Sequence, residues 1–389
     1  MNPRAAEAMV AELGRVGNAS SVHDAGRAAR RVVEESRELI AARLGAHPTE
    51  VVFTGGGTEA DNLAVKGLFW ARAGADPARR RVLVSAVEHH AVLDPAAWLA
   101  EHEGAEPVLL GVDDAGRLDL GKLANALDDD AALLSVMWAN NEVGTVQPVA
   151  EAADLAARHG VPMHSDAVQA VGQVPVDFAA SGLTAISLSG HKLGGPVGVG
   201  ALLISRDATL TPVLHGGGQE RGLRSGTLPV AAVRALAVAI DIAVTERAQR
   251  ASHMAGLRAS LVAAIRAEVP DAVVRGPAVP DVAVRGPAVP DVAGTSRLPG
   301  NLSVTFPGCD TDALLYLLDS RGVQCSAGSA CQAGVARTSH VLLAMGLTEA
   351  EARGTVRFSL GPSSTRDDVA AVAGVIREVV GRARAAAVG

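Results

Sequence analysis

The sequence predicts an α/β protein: a large N-terminal domain on a mainly parallel, seven-stranded sheet, followed by a smaller C-terminal α+β domain. Three observations lead there. From about residue 51 to residue 204, short apolar runs alternate with longer amphipathic ones, as parallel strands alternate with the helices that cover them. At 389 residues the chain is longer than one hydrophobic core usually supports. Past Arg247 one strand-like run is followed by two helical ones, so the domains are placed at 1–247 and 248–389.

Taken in order, the strands of the large domain are VVF (51–53), RVLVSA (81–86), PVLLGV (107–112), ALLSVMWA (132–139), VPMHSD (161–166), AISLSG (185–190) and ALLIS (201–205). Most are short, mainly apolar runs, and they alternate with longer amphipathic ones in the pattern of a mainly parallel sheet covered by helices. Helices fit between several of them, for example over 59–72 and 149–159. The Ala-rich stretch 230–262 is apolar at helical spacing and predicts one long helix leading into the second domain. There NLSVTF reads as a strand, DALLYLLDS and SHVLLAMG as helices, and RFSL as a last strand. A perfect tandem decapeptide, VRGPAVPDVA, occupies 274–283 and 284–293. Two copies are too short for a solenoid, and proline disfavours helix and central strand, so an exposed loop lengthened by duplication is expected.

Composition narrows the function. Hydrophobic residues at 48%, charged ones at 20% and a mean hydropathy of +0.23 exclude a wholly disordered chain. Only 2% aromatics and a net charge of −7 leave no base-stacking platform or strongly basic surface, so nucleic acid is not an expected partner. The three cysteines, Cys309, Cys325 and Cys331, cannot all pair within the chain and show no C-x-x-C spacing. They read as thiols in a reducing compartment, with no resident metal. The N-terminus MNPRAAEAMVAELGRVG has no apolar signal core and no later stretch reads as a membrane helix, which places the chain in the cytoplasm.

Four stretches can carry chemistry. In VVFTGGGTEADN a strand runs through three glycines into a helix that Thr58 can cap, an arrangement that meets a phosphate with backbone N–H groups and a hydroxyl. Glycine-rich turns before helices are common, so this one is weak alone. SLSGHK delivers Lys192 at the C-terminal end of a strand, where partial desolvation would lower its pKa and suit it to Schiff-base chemistry; the bland alternative is a solvated lysine. Asp166 ends another strand, with Gln169 three residues on; a carboxylate there can keep a pyridine nitrogen protonated, or simply cap a helix. The small-residue stretch CSAGSACQAGVA holds Cys325 and Cys331 in what reads as a mobile loop suited to a travelling thiolate, whereas Cys309 and the strand-like VQC around Cys325 fit structural thiols.

Together GGGTEADN, EHHAVLD, WANNEVGTVQP, HSDAVQAVG, SGHK, HGGGQERGLRSGT, SAGSAC and RFSLG stand in the order seen in cysteine desulfurases. From GNASSVH (17–23) to RFSLG the chain resembles the NifS/IscS-like group of the class V pyridoxal-phosphate-dependent aminotransferases. The resemblance implies a fold type I homodimer that converts L-cysteine to L-alanine and passes sulfur through an enzyme persulfide. By that resemblance Lys192 carries the cofactor, Asp166 meets its ring nitrogen, Gln169 its ring hydroxyl, and His89 stacks on the ring and assists proton transfer. Gly57, Thr58, Ser189 and His191 would bind the phosphate, with Thr227 reaching it from the other subunit. Asn141 and Arg357 would take the substrate carboxylate, and Cys331 the sulfur. Implied acceptors are an iron–sulfur scaffold or a tRNA thiolase; Cys331 would meet an iron–sulfur cluster only in passing, with an acceptor.

One feature departs from the family. Its members open with a short strand and an AATTP-like turn near the cofactor, whereas this sequence starts at MNPRAAEAM, which leads us to expect a start codon assigned too far downstream. Two other readings stay open at the level of sequence: a selenocysteine lyase or other class V enzyme sharing Lys192 and Asp166, and an inactive scaffold that binds sulfur acceptors.

Overall fold

The computed structural model describes residues 1–278, 296–328 and 338–388, so Cys331 and most of the tandem repeat lie outside the described residues. The chain divides into two compact units. One comprises Met1–Leu110, Asp119–Trp138 and Pro148–Arg247; the other comprises Gly111–Leu118, Ala139–Gln147 and Ala248–Gly389. The second unit thus takes two short segments from within the first 247 residues, where the sequence suggested a single cut.

The first unit holds seven strands: β1 (Val51–Thr54), β2 (Arg81–Ser85), β3 (Glu106–Leu110), β4 (Ala131–Ser135), β5 (Met163–Asp166), β6 (Ala185–Ser189) and β7 (Gly200–Ile204). Their order is β1-β7-β6-β5-β4-β2-β3. Strands β3, β2, β4, β5 and β6 run parallel, and β7 lies antiparallel between β6 and β1. Every residue of β4, β5, β6 and β7 is buried, so these strands do not alternate apolar with solvated residues, and the polar side chains they carry, Ser135, His164, Asp166, Ser187 and Ser189 among them, are buried too. β3 is different: it is the edge, carries Pro107 where a missing N–H does no harm, and leaves Leu109 65% exposed. Helix Gly57–Ala75 lies across β4 to β7 and buries Ala60, Leu63, Ala64 and Leu68.

The single helix expected over 230–262 is two helices, Val230–Thr245 and Arg247–Glu268. Glu246 leaves the helical conformation at φ −95° and ψ 3°, although no glycine or proline marks the place. The first helix buries Val233, Leu236 and Ile240 and packs on helices Pro3–Leu13 and Asp24–Leu44; the second puts Leu257, Leu261 and Ile265 into the core of the second unit. One apolar stripe therefore serves two cores.

In the second unit β8 (Val273–Arg275), β9 (Asn301–Thr305) and β10 (Thr355–Ser359) form an antiparallel sheet of order β10-β9-β8. Its core includes Leu302, Val304, Phe306, Leu314, Leu318, Val356 and Ile376. The first residues of the tandem repeat are not loop: Val274 and Arg275 pair with Val304 and Ser303. An edge strand can end there because the prolines come only afterwards. Nor is VQC a strand; Ser326 alone bridges to Arg357. Among the described residues no helix is long and apolar enough to cross a membrane.

Candidate active site

Two neighbouring parallel strands end where the sequence placed the chemistry: β5 at Asp166 and β6 at Ser189, with Asp166 across from Ser187. C-terminal strand ends of a parallel sheet can hold a ligand on their loops without interrupting the ladder. The Asp166 side chain is buried, and its Oδ1 accepts the Val168 N–H at 2.8 Å. Turns rather than a helix follow it, so it is not a helix cap. Burial pushes its pKa up to about 6, while the Val168 N–H and the positive charge of Lys192 pull it back down.

Beyond β6 a single turn, Gly190–Lys192, lifts Lys192 out of the sheet. Its side chain is exposed in this chain, where the sequence suggested partial desolvation; what is buried is the backbone beside it at Gly190 and Leu193. Gly190 organises the turn. Its N–H donates to the Val199 carbonyl at 3.0 Å, and its own carbonyl accepts from Leu193 and Gly195 at 3.0 and 2.9 Å. A Cβ there would sit 2.8 Å from the Pro196 carbonyl oxygen, so only glycine fits. Ser189 Oγ lies 2.9 Å from His191 Nδ1. Partial burial, and then the charge of Lys192, hold the His191 ring below its ordinary pKa.

The glycine turn meets these residues directly. Gly56, at φ +152°, is the N-cap of helix Gly57–Ala75, and no side chain from that position caps it. Thr58, expected as the cap, is instead the second residue of the helix. A Cβ on Gly57 would lie 2.9 Å from Val168 Cγ2 and 3.3 Å from Ser189 Cβ, so the helix start is pressed against the ends of β5 and β6. Gly57, Ser189 and His191 thereby border one cradle at the positive end of a helix. Glu59 holds the turn from behind: it accepts the Gly55 N–H at 2.7 Å and pairs with Arg224 at 2.7 Å.

Of the remaining expected residues, His89 is half-buried and caps helix His90–Glu103, its Nδ1 accepting from the Ala91 N–H at 3.1 Å. Gln169 is half-buried in the turn after Asp166, and Thr227 is exposed. The loop carrying Thr227 is tied down by Glu220, which is buried, accepts the Phe53 N–H at 2.8 Å and binds Arg37 through both carboxylate oxygens at 2.8 and 2.9 Å. Sequence reasoning missed Arg37, Glu59, Glu220 and Arg224. HGGGQERGLRSGT contains the last two and GGGTEADN contains Glu59, but neither run says which of its charges the fold buries or pairs.

In the second unit Asn141 and Arg357 come together. Arg357 Nη1 donates to the Asn141 carbonyl at 3.0 Å, and Asn301 Nδ2 donates to the same oxygen at 3.0 Å. Arg357 Nε is buried with no acceptor among the described residues. Beside them Glu142 accepts from Ser339 Oγ at 2.5 Å, and a Cβ on Gly328 would lie 2.3 Å from its Oε2. Glu142 thus touches Gly328 and Ser339, on either side of the segment containing Cys331, which itself lies outside the described residues; Glu142 stands in the WANNEVGTVQP motif, but nothing in the sequence assigned it a role. The other two thiols are poor nucleophiles. Burial, and then Asp319, push Cys325 up to about 11; burial also raises Cys309, whose Sγ sits 3.8 Å from the Val380 carbonyl.

A model of the class-V aminotransferases matches residues 3–372. The chain is 53% identical to the IscS-like cysteine desulfurase of Mycobacterium tuberculosis (strain ATCC 25618 / H37Rv), over 100% of this chain and 95% of that one. Among solved structures, a NifS-like protein matches with a TM-score of 0.87 at 33% identity, covering 98% of this chain and 96% of that one. SspA in complex with cysteine matches with a TM-score of 0.77 at 32% identity, over 94% of this chain and 97% of that one. A family match along nearly the whole chain, with relatives this similar, means that the protein belongs to the class-V aminotransferase family, in its NifS- and IscS-like cysteine desulfurase group.

Proposed function

We propose that this enzyme is a pyridoxal-phosphate-dependent cysteine desulfurase that converts L-cysteine to L-alanine and hands the sulfur on through a persulfide of Cys331. The observation that carries the cofactor reading is the buried Asp166 carboxyl at the end of β5, within reach of the charge of Lys192 delivered by β6. The residues fit the group. Gly57, Thr58, Ser189 and His191 border a cradle for a phosphate, with Thr227 offered to the site of a second copy in a homodimer. Asp166 would hold a proton at the ring nitrogen, Gln169 would meet the ring hydroxyl and His89 the ring face. Bound there, the cofactor supplies an electron sink for the pair left on the substrate Cα when its proton is removed.

The chain's own groups supply the rest. Lys192, exposed and projecting from a rigid turn, takes the Cα proton. Arg357, whose planar fork suits a carboxylate, and Asn141 orient the substrate. The Cys331 thiolate then attacks the substrate sulfur: an S–S bond forms as the C–S bond breaks, and protonation of the carbon releases alanine. The sulfur acceptor is proposed to be an iron–sulfur scaffold or a tRNA thiolase. Incubation with L-cysteine tests the reading through alanine, sulfide and the mass of the Cys331 peptide. Lys192→Ala should lose visible absorbance and turnover. Cys331→Ser should keep the absorbance and lose the persulfide, while Cys309→Ser and Cys325→Ser keep turnover. Persulfide on Cys325 in an otherwise active Cys331→Ser variant would overturn the choice of thiol.

A further inference from the structure

Behind Asp166 lies a row of polar side chains that the proposed chemistry does not use. Ser135 on β4, His164 on β5 and Ser187 on β6 are fully buried and stand side by side, because Ser135 pairs with His164 across the ladder and Ser187 pairs with Asp166, two residues along the strand from His164. Ser135 Oγ lies 2.9 Å from His164 Nδ1, and His164 Nε2 lies 2.9 Å from Ser187 Oγ. Asp61, on the helix that crosses these strands, closes the row: its Oδ1 is 3.5 Å from His164 Nε2, and its carboxyl lies near enough to the Ser187 hydroxyl to be influenced by it. Asp61 is 1% exposed, and its Oδ1 has no hydrogen-bond partner among the described residues.

The donors can be counted. A neutral His164 with its proton on Nε2 accepts from Ser135 and donates to Ser187, leaving the Ser187 proton for Asp61. Ser135, His164 and Ser187 are then satisfied with no formal charge on the imidazole, and within the row only Asp61 Oδ1 is left over. Burial drives His164 down to about 3, in keeping with that state. The groups acting on Asp61 are Asp166, Glu88, His164 and Ser187, and none of them supplies a positive charge when the imidazole is neutral. An ionised Asp61 would be a second buried carboxylate near Asp166, with one oxygen unsolvated, a strongly unfavourable arrangement.

We infer that Asp61 is a positioning residue held as the neutral acid at the end of the Ser135–His164–Ser187 row, so that the buried end of β5 presents one negative charge, on Asp166. A second charge would compete with Asp166 for the nearby proton and raise the proton affinity of everything facing it. The neutral acid keeps the row hydrogen-bonded without adding to the field. The role in catalysis rests on the cofactor reading above; the protonation state of Asp61 does not.

The test uses the full chain. With pyridoxal phosphate bound, the pH midpoint of the visible absorbance should be the same in Asp61→Asn as in the parent, within about twofold in proton affinity, because one neutral group replaces another. If Asp61 is ionised, Asp61→Asn removes a negative charge and the midpoint falls by about one unit or more, which overturns the inference. Infrared spectra of the parent chain at neutral pH, with and without 13C-labelled aspartate, need no variant. They should show a protonated carboxyl band that moves with the label, and its absence would also overturn the inference. A chain that gives the infrared band but never develops visible absorbance would instead refute the cofactor reading and leave Asp61 as assigned.

Discussion

At the scale of single residues, the buried carboxyl of Asp166 links structure to pH. Burial raises its pKa from 3.8 to about 6, so the folded chain binds this proton more tightly than the unfolded one. The resulting stabilisation is fully present below about pH 4 and is lost as pH rises through about 6, a change of about 3 kcal/mol. Asp166→Asn, free of titration, should therefore gain on the parent by up to about 3 kcal/mol between pH 4 and pH 7 when both unfold in urea without added cofactor. Parallel pH curves for the two proteins would refute this. Asp166 itself was legible in the sequence because it ends a strand inside a motif. Asp61 was not, although it stands in another such motif, GGGTEADN, because its meaning comes from His164 and Ser187, over a hundred positions away in the chain.

At the scale of elements, the described residues on either side of the 279–295 stretch are held by buried arginines. Arg297 is buried and donates to the carbonyls of Arg275 and Pro277, while Arg258 donates to those of Leu298 and Pro299. Both ends of the insertion are thus fixed by guanidinium groups that lie outside the 279–295 stretch. Loop-closure entropy changes by only about 0.6 kcal/mol for a twofold change in length. Deleting residues 284–293, one full copy, should then shift the melting temperature by about 2 °C or less and leave desulfuration within about twofold. A loss of several kcal/mol would mean that the second copy packs against the enzyme. Sequence periodicity located most of the strands to within a residue or two but missed the break at Glu246, because an apolar stripe does not say which core each half enters.

At the scale of the molecule, the opening segment leaves apolar side chains uncovered: Val10, Leu13, Val16 and Val22 are 66%, 63%, 90% and 87% exposed. Exposed apolar side chains of this kind are what a second copy would cover in the proposed homodimer. The protein should sediment at twice its 39.5 kDa chain mass, and the double variant Val16→Asp with Val22→Asp should shift it toward monomer and weaken cofactor retention. A monomer with full activity would remove both the dimer and the proposed reach of Thr227 into a neighbouring site.

The sequence alone was enough to place Asp166 and Ser189 at or beside the ends of strands and Lys192 in the turn just beyond, because a parallel sheet delivers the residue at each strand's C-terminal end to the same edge. The register of that sheet was beyond it. Only the tertiary structure set Ser187 across from Asp166, pressed Gly57 against Ser189, buried Arg37 against Glu220 and brought the Asn141 carbonyl to Arg357. Each of these joins residues far apart in the chain, and each depends on distances of a few ångströms that hydrophobic pattern does not encode. Apolar periodicity says which face of an element is buried; the partner that face meets is decided by packing and by the need to satisfy every buried polar group.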